Sequence, residues 1–81
     1  MVTTLKMSFF RSKAQKELDL IINDIDQYLM NNYKDLAHES RLRLERRTEE
    51  LYADGKLNEK LYRAYMLKFR QYTFKMRDLH H

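Results

Sequence analysis

One glycine, Gly55, and not a single proline interrupt this 81-residue chain. Those two residues are the strongest punctuators of regular structure, so a chain nearly free of them runs in long uninterrupted elements. Which element follows from the rest of the sequence. Leu, Lys, Glu, Arg, Ala and Met recur throughout, and all are good helix formers. Apolar residues return every three or four positions, the helical period. A hydrophobic content of 43% at regular spacing argues against disorder. The length bounds the answer to one small domain. With no cysteine there is no disulfide to staple it and no thiolate to hold zinc, so helix packing, or a second copy, must supply the stability. The fold class expected is all-α.

The periodicity predicts three helices, at about 12–31, 34–53 and 58–78. In the first, Ala14, Leu18, Ile21, Ile22, Ile25, Tyr28 and Leu29 fall in one stripe, and Ser12 is placed to cap the start. Leu20 and Met30 lie outside the stripe as exposed exceptions. Asn31-Asn32 then interrupts, since Asn competes for backbone hydrogen bonds, and Asp35 is placed to cap a second helix. The apolar stripe nevertheless continues in phase through Tyr33, Leu36, Ala37, Ser40, Leu44, Thr48 and Leu51. Two arrangements therefore stand: a three-helix bundle, or a helical hairpin with a long bent first arm. A break is favoured, because an unbroken rod of about 42 residues would exceed roughly 60 Å. Glu39 with Arg43 and Arg46 with Glu50 are expected as i,i+4 ion pairs, each contributing about 0.2–0.5 kcal/mol.

The second boundary is the clearest. Ala53-Asp54-Gly55-Lys56-Leu57-Asn58-Glu59 reads as stop, turn and start: Gly55 for a left-handed helix ending, Leu57 to pack back, Asn58 as a cap, and Glu59 in the first turn. So short a connection makes helices two and three an antiparallel hairpin. On the third helix Leu61, Tyr62, Tyr65, Phe69, Tyr72, Met76 and Leu79 share one face, with tyrosine hydroxyls expected at the rim. The chain divides into an arm, 1–11, a helical domain, 12–79, and a frayed end, 80–81. Met7-Ser8-Phe9-Phe10-Arg11 is read either as a staple near the Ser12 cap or as an arm that docks on a partner.

No chemistry-bearing constellation emerges. The three histidines are His38, on the polar side of helix two, and His80 and His81 at the end. Ser40 stands two residues from His38, and positions i and i+2 of a helix point about 200° apart, so the two cannot pair. There is no HExxH, and one glycine cannot build a phosphate loop. No enzymatic activity, catalytic residue, metal site, cofactor or small-molecule substrate is expected. No apolar stretch approaches the roughly 20 residues that cross a bilayer, and the N-terminus lacks the long apolar core of a leader, so a cytoplasmic, non-membrane protein is expected.

Net charge is +4, concentrated in the N-terminal arm and the last helix. On the outer face of that helix Arg63, Arg70 and Arg77 recur every seven residues, with Leu67 and Phe74, also seven apart, beside them. Lys60 flanks the row; Lys68 and Lys75 lie further round. Arginines bordering apolar side chains suit a protein interface, and Arg63, Leu67, Arg70, Phe74 and Arg77 are the expected partner-binding set, toward another protein or a second copy of the chain. A solvated basic face with two scattered apolar residues is the plain alternative. Nucleic acid is the other partner class, through Lys60, Arg63, Arg70 and Arg77 on phosphates. The run Arg41-Leu42-Arg43-Leu44-Glu45-Arg46-Arg47 is largely cancelled by Glu39, Glu45, Glu49 and Glu50 and reads as a charge-laced face that leaves Leu42 as a contact.

Asn31-Asn32-Tyr33-Lys34-Asp35-Leu36-Ala37 followed by Glu49-Glu50-Leu51-Tyr52-Ala53-Asp54-Gly55-Lys56-Leu57 resembles small helical accessory proteins of bacterial mobile elements, over about half the chain. The resemblance implies an accessory or regulatory role and no catalytic residues. The function expected is a non-enzymatic protein-interaction or regulatory module, with a basic nucleic-acid-binding helical protein as the alternative.

Overall fold

Helix α1 spans Lys13–Met30 and is started by Ser12, whose hydroxyl accepts from the Gln15 backbone N–H at 3.1 Å. The Gln15 side chain returns the bond to the Ser12 N–H, completing a capping box that satisfies two otherwise orphaned donors. α2 covers Lys34–Ala53 and α3 covers Glu59–Met76, and the three form an all-α three-helix bundle. The computed structural model describes residues 11–77. Most of the arm, with Met7, Ser8, Phe9 and Phe10, and the end of the chain, with Leu79, His80 and His81, fall outside the described residues, as does the division of the chain at 79.

Both turns end their helices by the same device. After α1, Asn32 takes a positive φ of 63°, its N–H donates to the Leu29 carbonyl at 3.2 Å, and the Tyr33 N–H donates to the Tyr28 carbonyl at 2.8 Å. After α2, Gly55 takes φ 75°, its N–H donates to Tyr52, and the Lys56 N–H donates to Leu51 at 2.8 Å. These are two complete Schellman endings, with Asn in the left-handed position of one and Gly in the other. The apolar contact that accompanies such an ending is Tyr33 against Tyr28, ring centroids 6.4 Å apart, in the first, and the buried Leu57 beyond the second. The chain therefore turns sharply at Asn31-Asn32, and the continuous rod does not form. Asp35 is not the cap of α2. That place falls to Tyr33, which makes no side-chain capping bond, and Asp35 lies in the first turn, where a carboxylate suits the helix dipole. Asn58 caps α3 as expected, accepting from the Leu61 N–H at 2.8 Å.

Partners across the helices give the directions. Arg47 meets Glu17 and Arg43 meets Asp24, so α1 and α2 run antiparallel. Arg41 reaches Thr73 and Glu49 meets Tyr62, so α2 and α3 are antiparallel too. α1 and α3 are consequently parallel. The core is built from Leu18, Ile21 and Ile25 of α1, Ala37, Leu44 and Leu51 of α2, Tyr65, Tyr72 and Met76 of α3, and Leu57. Leu18, Ile25, Leu44 and Met76 are fully enclosed. Ser40 is buried as a small residue at the helix contact.

Three details depart from the periodic expectation. Tyr33 and Leu36 belong to the α2 stripe by spacing, yet are 55% and 42% exposed, because the stripe begins at the turn, before the neighbouring helices cover it. Met66 is buried although it lies off the expected stripe, on the side of α3 that carries Tyr62 and Thr73 toward α2. The i,i+4 pairs Glu39–Arg43 and Arg46–Glu50 give way to other partners: Arg43 lies 3.8 Å from Asp24 on α1, and Glu50 accepts from Arg47, three residues before it, at 2.7 Å.

Candidate functional site

The inward side of α3 is tied to α1 by phenols. Tyr65 Oη donates to Asp19 Oδ1 at 2.8 Å, and Tyr72 Oη donates to Asp26 Oδ1. Burial together with the carboxylate acceptor pushes the Tyr65 phenol up to about 12, and burial and Asp26 push Tyr72 up in the same way. Asp19 also pairs through Oδ2 with Arg11. On the other flank of α1, Glu17 receives both Nε and Nη2 of Arg47, and this hydrogen bonding holds its carboxyl below the usual range. These contacts orient α3, so that the opposite side of the helix faces outward.

That outward side carries Arg63, Leu67, Arg70, Phe74 and Arg77, every one exposed. Leu67 is 52% and Phe74 69% exposed, so the apolar pair singled out by its spacing lies clear of the core. Arg63 Nη2 donates to Glu59 Oε2 at 2.6 Å, an i,i+4 pair in which both side chains stand in solvent. The Arg77 guanidinium lies over the Phe74 ring, 4.8 Å from its centroid, a cation–π contact that covers part of the ring with charge. Lys60 is exposed beside Arg63 and Glu59. Lys68 is on the α1 side, 5.4 Å from the Tyr72 ring centroid, and Lys75 shares that side, beside Asp26 and Gln71. The five residues of the candidate face are thus brought onto one side of one helix, and the two further lysines are directed elsewhere.

The arginines of the Arg41–Arg47 run are mostly spent within the fold. Arg41 lies 5.6 Å from the Phe69 ring centroid and donates to Thr73 at 3.0 Å; Arg43 and Arg47 pair with α1. The run is balanced mainly by Glu17 and Asp24 of α1 rather than by Glu39, Glu45 and Glu49 as expected, with Glu50 the one expected neighbour that pairs with it; Leu42 is 50% exposed.

A cleft of about 220 Å³ opens at the α1–α2 turn, lined by Tyr28, Leu29, Asn32, Tyr33, Lys34 and Lys75. No carboxylate or imidazole is among those residues. His38, half-buried on α2, is not among them. Among the described residues no group of three or more His, Asp or Glu side chains is placed to hold a metal ion. Among the same residues no helix is long and apolar enough to cross a membrane.

Spacing alone did not disclose the Tyr65–Asp19 and Tyr72–Asp26 bonds, the Gln15 half of the capping box, or the stack of Tyr52 on Tyr62 at 4.1 Å. A signal existed for the first: both tyrosines and both aspartates are seven residues apart. Compared with known protein families, characterised proteins and solved structures, the chain matches none.

Proposed function

We propose that this chain is a non-enzymatic protein-interaction module of an accessory or regulatory kind, acting in the cytoplasm. Its partner docks along the outer face of α3, on Arg63, Leu67, Arg70, Phe74 and Arg77. The observation that carries this reading is the exposure of Leu67 and Phe74 on one face of a helix whose other face is committed to the core. Desolvating a ring and a leucine between arginines is the usual composition of an interface centre. The accessory role also agrees with the resemblance to small helical proteins of mobile elements.

Nucleic acid is the second reading, supported by the row of Lys60, Arg63, Arg70 and Arg77 on one helix face. Counting against it, Arg41, Arg43 and Arg47 are engaged within the bundle and cannot extend the row.

The test is a photo-crosslinking residue introduced at Leu67, with the same residue at Leu42 as the control exposed apolar position. Protein adducts formed in host cells from position 67 and not from position 42 are the expected result. Equal labelling from both positions, or none from 67, contradicts the assignment of the face.

A further inference from the structure

Resting on that reading of the face, we infer the chemistry of the partner: an acidic helical segment presenting two apolar side chains seven residues apart, flanked by carboxylates. Among the described residues four cations, Lys60, Arg63, Arg70 and Arg77, stand along the outer face of α3 against one carboxylate, Glu59. The single internal pair, Arg63 with Glu59, has side chains 76% and 62% exposed, so a carboxylate from outside can exchange for Glu59 at little cost. Acidic groups of the chain's own that might have covered this face are occupied elsewhere. Glu17, Asp19, Asp24 and Asp26 bind Arg47, Tyr65, Arg43 and Tyr72, and Glu49 binds Tyr62.

The spacing specifies the shape of the occupant. Leu67 and Phe74 are two helical turns apart, about 10.5 Å along the axis, and the arginines keep the same period. A second helix lying alongside meets both rows at once only if its own apolar residues also recur at seven. A copy of this same face is a poor occupant, because it brings two faces of like net charge together, and like charges in an interface are costly. A phosphate backbone would satisfy the arginines but leave Leu67 and Phe74 without apolar partners.

The binding experiment uses the whole chain and four labelled probes, read by fluorescence anisotropy at about 0.15 M salt. The first peptide is Glu-rich with Leu and Phe at i,i+7. The second has the same composition with the apolar pair moved off that spacing. The third carries Lys for Glu, and the fourth is a duplex of roughly 20 base pairs. The first probe is expected to bind roughly tenfold more tightly than any other, and Phe74→Ala or Arg70→Glu to remove about that advantage. Both substitutions are at exposed positions, and an unchanged melting temperature keeps their effect separate from folding. Equal affinity for the two acidic peptides, or preference for the Lys peptide or the duplex, overturns the inference. So does a doubled sedimentation mass of the chain alone that Phe74→Ala abolishes, since it would give the face to a second copy. If position 67 crosslinks a protein in cells while the acidic peptide fails, the partner chemistry is wrong and the face stands. If position 67 crosslinks nothing, the face itself is wrong.

Discussion

Tyr65 and Asp19 meet across the parallel pair α1 and α3, phenol Oη to carboxylate Oδ1 at 2.8 Å, and one heptad along both helices Tyr72 repeats the contact with Asp26. Parallel helices in a bundle share no turn, so nothing local sets their register. Here the register is set by two charge-assisted bonds at the same offset of 46 residues. They also fix the rotation of α3, and with it the direction of the face on its far side.

Tyr65→Phe keeps the ring in the core and removes only the donor. A hydrogen bond to a charged group contributes about 1.5–3 kcal/mol, and the half-exposed carboxylate, which keeps Arg11, puts this one at the lower end, about 1.5 kcal/mol. Thermal melting should fall by roughly 6–12 °C for a domain of this size. The same phenol predicts a pH dependence. Unfolded, it titrates near 10; folded, at about 12. Between those values the unfolded chain has released the proton and the folded chain still holds it, so stability is intact below about pH 10 and declines as pH rises toward 12. Urea midpoints across that window should drop for the wild type and drop less for Tyr65→Phe, with Tyr72 and Tyr62, both shifted in the same direction, contributing to the remainder.

Thr48 should be improvable. It is fully buried, and its Oγ1 has no hydrogen-bond partner among the described residues. A buried hydroxyl without a partner costs about 1–3 kcal/mol of desolvation. Thr48→Val keeps the branched shape and deletes the orphan, and should raise unfolding free energy by about 1 kcal/mol in a urea titration. A loss of stability would mean that the hydroxyl is satisfied in solution.

The two turns make a matched pair of experiments. Asn32 and Gly55 both hold left-handed backbone, and nothing crowds the position where Gly55 would carry a Cβ. The cost of a side chain there is therefore conformational alone. Gly55→Ala and Asn32→Ala should each lose about 1 kcal/mol, while Asn32→Gly should be neutral or stabilising. Circular-dichroism melts of the three variants give the comparison.

The helices were readable because their apolar residues keep a strict period and because Ser12, Asn58 and Gly55 are unambiguous end signals. Even the capping box was written in the chain, as Ser12 with Gln15 three residues on. At Asn31-Asn32 the pattern was ambiguous: the stripe runs on in phase while the backbone turns, because Asn32 can hold the left-handed conformation that the apolar spacing does not report. Leu36 was misplaced for a related reason, since periodicity assigns a face but not whether a neighbour reaches that far. Register between α1 and α3 was out of reach from spacing alone, and so was the choice of Arg47 over Arg46 as the partner of Glu17 and Glu50. Both depend on how the helices roll against each other. The outward placement of Arg63, Leu67, Arg70, Phe74 and Arg77 followed from the opposite face being apolar.

Phe74→Asp tests the central claim most directly. The ring is 69% exposed, so the substitution should leave unfolding free energy within about 0.5 kcal/mol of the wild type. It places a carboxylate in the middle of the face and removes its largest apolar contact. Quantitative pull-down of the protein crosslinked through position 67, run beside a thermal melt, should show capture abolished with the melt unchanged. Capture that survives Phe74→Asp in a folded chain would contradict the assignment of this face.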